Sequence, residues 1–179
     1  MKNAVGRIPF PTNHILNWLE PKKKDESGGA GLIDESGFYQ AGNVSYALST
    51  ATRDQPVDPQ IMQTLSGVVA DMGPEYGIVV TSGGQPSHGH NRTGSTRHDH
   101  GGAVDFYLTR DGQRVNPGQD KALYSELISN SSAFFSGMGH YHWGMHVGGG
   151  KQAFWGDDGT SQSADPEFAK AYHDGKRNF

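Results

Sequence analysis

Apolar positions change period several times along the chain, and each change marks an element. Ile61, Met62, Leu65, Val68, Val69 and Met72 recur at intervals of three and four, which is one face of an α-helix. Asp58-Pro59 ahead of them supplies an N-cap carboxylate and a proline at the first helical position, and Gly73-Pro74 closes the run. Tyr76 to Thr81 is a short β-branched stretch that predicts a buried strand, followed by a polar, glycine-bearing loop from Ser82 to Thr96. From Ala103 to Leu108 the period is two. Val104, Phe106 and Leu108 share one face, so Asp105 projects from the other. A second helix is predicted over Asp120 to Phe135 from Leu123, Leu127 and Ile128. Another strand is predicted over His142 to Val147, with Trp143, Met145 and Val147 on one side and His142, Gly144 and His146 on the other. A last helix starts at Asp165-Pro166-Glu167 and runs to about His173.

Upstream of Asp58 the pattern is weaker. Asn13 to Glu20 predicts a short helix closed by Pro21, and Lys22 to Glu26 changes sign abruptly before glycines at 28, 29 and 31. Residues 1–57 therefore read as an N-terminal arm or an extension of the same domain, and 58–179 as the main domain. Strands and helices in this order predict an α+β fold. The expected architecture is a small, mostly antiparallel sheet with helices on one face and the other face open for a cleft.

Composition narrows the chemistry. A chain of 179 residues supports one well-buried core and shows no internal repeat. The net charge of −4 argues against a nucleic-acid partner that must neutralise many phosphates. No apolar run of 18 residues occurs, which predicts no membrane insertion, and the first 21 residues carry no secretory h-region. A monomer is expected. Cysteine is absent, so disulfides, thiol nucleophiles and cysteine-ligated zinc are excluded, and any metal site must be built from histidine and carboxylate.

Of nine histidines, seven (His88, His90, His98, His100, His140, His142 and His146) fall between residues 88 and 146. Imidazole together with carboxylate is a common zinc ligand set, and a catalytic zinc takes three protein ligands with a fourth position left for water. His98, Asp105 and His146 would supply two nitrogens and one oxygen. Gly101 and Gly102 let the backbone turn so that the first two converge. His142 competes for the third place, because His140-Tyr141-His142 is also a metal-type spacing. His88 and His90 share the loop beside such a cleft, and Arg92 and Arg97 are candidates for binding a peptide carboxylate.

The stretch from Ser95 to Asp105 contains His98-x-x-Gly101-x-Ala103-x-Asp105. It resembles the signature of the zinc D-alanyl-D-alanine carboxypeptidase and L-alanyl-D-glutamate endopeptidase family, whose superfamily includes the zinc domain of hedgehog proteins. Val80-Thr-Ser-Gly-Gly84 is similar to the strand end preceding that motif, and Trp143-Gly-Met-His146-Val to the late strand bearing the last ligand. The resemblance covers about residues 58 to 156. It implies zinc held by His98, Asp105 and His146, and cleavage of peptidoglycan stem peptides. It also implies action on the bacterial cell wall, either after holin-type release of a phage endolysin or as part of a virion.

Relatives commonly place an acid three residues before the last histidine, or a histidine two before it, as general base; here those positions are Trp143 and Gly144. His142 is the first candidate for the base, His140 the second, and an acid elsewhere in the chain stays open. Gln85 stands where relatives carry an arginine that steadies the developing oxyanion; it is either an amide donor in that role or a plain turn residue beside Pro86. The missing acid also leaves room for a zinc-binding interaction module or a virion structural module with a non-catalytic, hedgehog-like site.

Overall fold

The computed structural model describes residues 31–48 and 52–177, so the helix predicted over residues 13–20 lies outside the described residues. Helix α1 (Pro59–Met72) begins where the sequence places it. The Asp58 carboxylate accepts the Gln60 N–H at 2.8 Å, and Met62, Leu65, Val68 and Val69 form its buried stripe. Helix α2 (Lys121–Ser132) is capped by Asp120, which accepts from Leu123 N. It stops at Ser132, short of the predicted Phe135. Helix α3 (Pro166–Arg177) runs a turn beyond the predicted end.

Nine strands are present among the described residues: β1 (Leu32–Ile33), β2 (Tyr39–Gln40), β3 (Val44–Tyr46), β4 (Tyr76–Ser82), β5 (Ala103–Arg110), β6 (Gln113–Val115), β7 (Gly137–Tyr141), β8 (Gly144–Gly148) and β9 (Ala153–Trp155). β1 and β2 form a separate hairpin, and the others form one sheet in the order β3-β4-β5-β8-β7-β9, with β6 beside β5. The pairs around β5 and β8 are antiparallel, whereas β3 joins β4, and β9 joins β7, in parallel. The protein is thus α+β with a mixed sheet.

Period-two alternation divides the two faces of this sheet. Ile78, Val80, Val104, Phe106, Leu108, Met138, Met145 and Val147 are buried in one core with Leu65 and Val69 of α1, Leu127 and Ile128 of α2, and Phe168 and Tyr172 of α3. Each such side chain removed from water contributes roughly 1.5–3 kcal/mol before the entropy of ordering it is counted. Tyr39, Val44 and Val57 belong to the same core, so the segment just before α1 is part of the packed body. No helix among the described residues is long and apolar enough to cross a membrane.

The strand predicted over His142 to Val147 begins two residues later, at Gly144. His142 and Trp143 are instead the turn between β7 and β8. The partner strand β7, Gly-Met-Gly-His-Tyr, carries no β-branched residue, and its pairing with β8 is what makes it a strand.

Candidate metal centre

Cross-strand register assembles the site on the sheet face away from the helices. Asp105 of β5 pairs directly with His146 of β8, and His146 with Gly139 of β7. His98 arrives from the loop, at the end of a single 3-10 turn (Thr96–His98) started by Ser95, whose hydroxyl accepts Arg97 N–H. Three backbone segments pack edge to edge to hold that loop: Gln55 and Gly84 exchange both hydrogen bonds, and Asp58 N donates to Gly101 O. A Cβ at Gly101 would lie 2.8 Å from Pro56 O, and Gly101 also has φ +78°. Close backbone approach and a left-handed turn therefore both require glycine there.

His98, Asp105 and His146 are all buried, and their donor atoms lie within 4.8 Å of one another. His98 Nδ1 is 2.8 Å from Gly83 O. A carbonyl only accepts, so the proton of the neutral ring sits on Nδ1 and Nε2 presents a lone pair. That lone pair faces Asp105 Oδ2 at 3.4 Å, with no hydrogen-bond partner. His146 Nδ1 lies 2.7 Å from Asp105 Oδ1, and its Nε2 is likewise buried and unpartnered. Orphaned buried polar atoms are costly, and a cation between the two rings and the carboxylate removes that cost at His98. This group can hold a metal ion.

Electrostatics keep Asp105 and His146 in their ligand forms. Burial alone would raise the Asp105 carboxyl, but its contacts with His146 and His98 outweigh that and hold it well below the usual carboxylate range. Burial pushes the His146 imidazole down, despite the adjacent Asp105, and keeps it neutral.

Arg53 is a site residue that the sequence pattern does not single out. Its Nη1 lies 3.1 Å from Asp105 Oδ2 and its Nη2 donates to Thr93 O at 3.3 Å. No local spacing links position 53 to position 105; the connection is made by the packing of residues 53–58 against residues 83–84. A cleft of about 330 Å3 opens beside the cluster, lined by Arg53, Arg97, Tyr141 and Trp155 together with His98 and His146. Arg97 lies over the Trp155 ring, 4.9 Å from its centroid, and both its terminal nitrogens donate to carbonyls, of Gly149 and Lys151.

Three candidates, His142, Gln85 and His140, stand where they do not serve the catalytic roles weighed for them. The His142 side chain is 81% exposed in the hairpin turn, where its N–H and Nδ1 both meet Asp157 Oδ1. As a turn residue it leaves the strand face it was expected to share with His146. Gln85 is fully buried, and its amide is already committed: Nε2 donates to Ser95 O and Asp99 Oδ1, and Oε1 accepts from Thr93 N. Both amide protons are used, so Gln85 has none left for an oxyanion and braces the His98 loop instead. His140 faces the core side, where its Nε2 accepts the Asp165 N–H at 2.8 Å between Phe154 and Phe168. Arg92 is paired with Asp99.

No protein-family model and no curated protein matches the chain.

Proposed function

We propose that the protein is a zinc-dependent peptidase that cleaves the stem peptides of peptidoglycan, as a carboxypeptidase or an endopeptidase, in bacterial cell-wall lysis. The observation that carries the reading is the buried pair of histidines and one carboxylate, with unpartnered ring nitrogens, beside an open cleft. Its chain order, His98 and Asp105 in one short motif and His146 on a late strand, agrees with the resemblance to the hedgehog and D,D-peptidase superfamily. That likeness also suits ligands on the open face of a sheet backed by helices.

Bound zinc supplies Lewis acidity and an activated water near neutral pH. The chain's own residues do the rest. His98 and His146 offer unpartnered ring nitrogens, and Asp105 a charged oxygen that Arg53 holds in place. Gly83 O fixes which His98 nitrogen faces inward, an outer-shell contact of the kind that orients metal ligands. Two guanidiniums at the cleft and no lining carboxylate favour a substrate that carries carboxylates, as stem peptides do. Action after holin-type release or from a virion suits such a substrate.

One observation favours a second reading, a zinc-binding interaction or virion structural module: the cleft lining contains no acid, and no imidazole beyond the cluster itself. Incubating purified sacculi with the full-length protein and identifying released muropeptides by mass spectrometry separates the two. The peptidase reading predicts new peptide termini, loss of release in His98→Ala and after chelation, and recovery when zinc is returned to the wild type. A metal-loaded wild type that releases nothing favours the module.

A further inference from the structure

With Gln85 braced and His142 turned outward, the cleft needs another group to polarise the substrate. We infer that Tyr141 is that group: its phenol donates a hydrogen bond to the carbonyl oxygen of the bond being cleaved, and Trp143 positions its ring. The inference rests on the peptidase reading above.

Three observations lead to Tyr141. The first is place. In register, Gly139 of β7 faces His146, and Tyr141 stands two residues further along the same strand face, opposite Gly144. The step is about 7 Å along the strand, and the side chain lines the cleft. The second is a free donor. Burial raises the Tyr141 phenol above its ordinary value, so it keeps its proton, and the Trp155 indole that also lines the cleft can donate but cannot take that proton up. The terminal nitrogens of the two arginines at the cleft are anchored, those of Arg53 to Asp105 and Thr93 O and those of Arg97 to the carbonyls of Gly149 and Lys151. The third is orientation. The Tyr141 ring stacks on Trp143 with centroids 5.1 Å apart and planes 14° from parallel. Arg114 fixes this turn by donating to Trp143 O at 2.7 Å.

In the reaction a water oxygen adds to the peptide carbonyl carbon, the C–N bond breaks, and a water proton leaves on the amine. Tyr141 keeps its proton throughout. It acts by meeting the negative charge that grows on the carbonyl oxygen, where one preorganised donor is worth about 10²–10³ in kcat.

The test uses the full-length, zinc-loaded protein and a muropeptide substrate. Tyr141→Phe is expected to lower kcat by about 10²–10³ with little change in KM, and to keep its zinc. A phosphinic pseudopeptide of the stem peptide gives a readout apart from turnover. Its oxyanion stands where the carbonyl oxygen's charge develops, so Tyr141→Phe should weaken its Kd by a comparable factor. Trp143→Ala should show part of the kcat loss, and Trp143→Phe, which restores a stacked ring, should recover it. An active wild type with kcat and phosphinate affinity unchanged in Tyr141→Phe overturns the assignment to Tyr141. Equal activity in Trp143→Ala and Trp143→Phe overturns the positioning role. A zinc-loaded wild type that cleaves nothing overturns the peptidase reading itself, and this inference with it.

Discussion

His140 shows how one residue's partners decide its chemistry. As a motif member it resembled a metal ligand or a base; in the fold its Nε2 is an acceptor for Asp165 N–H at the start of α3. Burial is the largest influence on its ring and lowers its pKa, against the raising pull of Asp157 and Asp165 and with a further lowering from Lys121. The unfolded chain takes up a proton near pH 6.5 at this position, while the folded chain resists until lower pH. Between the two values the unfolded state binds more protons, so stability is full above about pH 6.5 and falls as the pH drops below it. His146, shifted the same way by burial, adds to the slope. Thermal denaturation between about pH 7.5 and 5.5 should show Tm falling with acidification, and His140→Gln, whose amide oxygen accepts at any pH, should show a shallower fall. Equal slopes would contradict the cap.

Among the site residues, Asp105 and His146 are legible from alternation alone, because a strand with one apolar face must turn its other residues outward. Gln85, His142 and Arg53 are not. Ser95 and Asp99 consume the Gln85 amide, Asp157 captures His142, and Asp105 draws in Arg53 from 52 positions away.

The elements that signalled themselves are those whose stability is local. α1 carries its own cap, its own proline and a full apolar stripe. β7 and β9 carry almost none of this, and they exist because β8 offers β7 an edge and β7 in turn offers one to β9. Gly139 in β7 has a second task. A Cβ there would fall on the Trp155 indole, which lies beside His146 with ring centroids 5.1 Å apart. Glycine on this strand is what lets the indole come close to the strand and wall the cleft. Gly139→Ala is expected to cost about 1–3 kcal/mol by overpacking. At about 2–4 °C per kcal/mol for a chain of this size, calorimetry should record a Tm lower by several degrees. A variant with the wild-type Tm would mean that the indole moves aside freely.

For the whole molecule, the governing fact is that one mixed sheet has two unlike faces. The apolar face and three helices form a single core that also takes in Tyr39, Val44 and Val57, so that core reaches upstream of residue 58. The other face carries polar groups that burial would penalise unless something satisfies them, and the unpartnered nitrogens of His98 and His146 are the clearest case. The α+β class was readable from the order of strand and helix patterns. The parallel edges of the sheet were not, since pairing direction is set by which edges are free once the interior strands have met. The most direct measurement is a zinc titration of metal-stripped, full-length protein followed by elemental analysis. The account predicts one zinc per chain in the wild type and none retained by the His98→Ala/His146→Ala double variant. A wild type that takes up no zinc, or a double variant that binds as the wild type does, would contradict it.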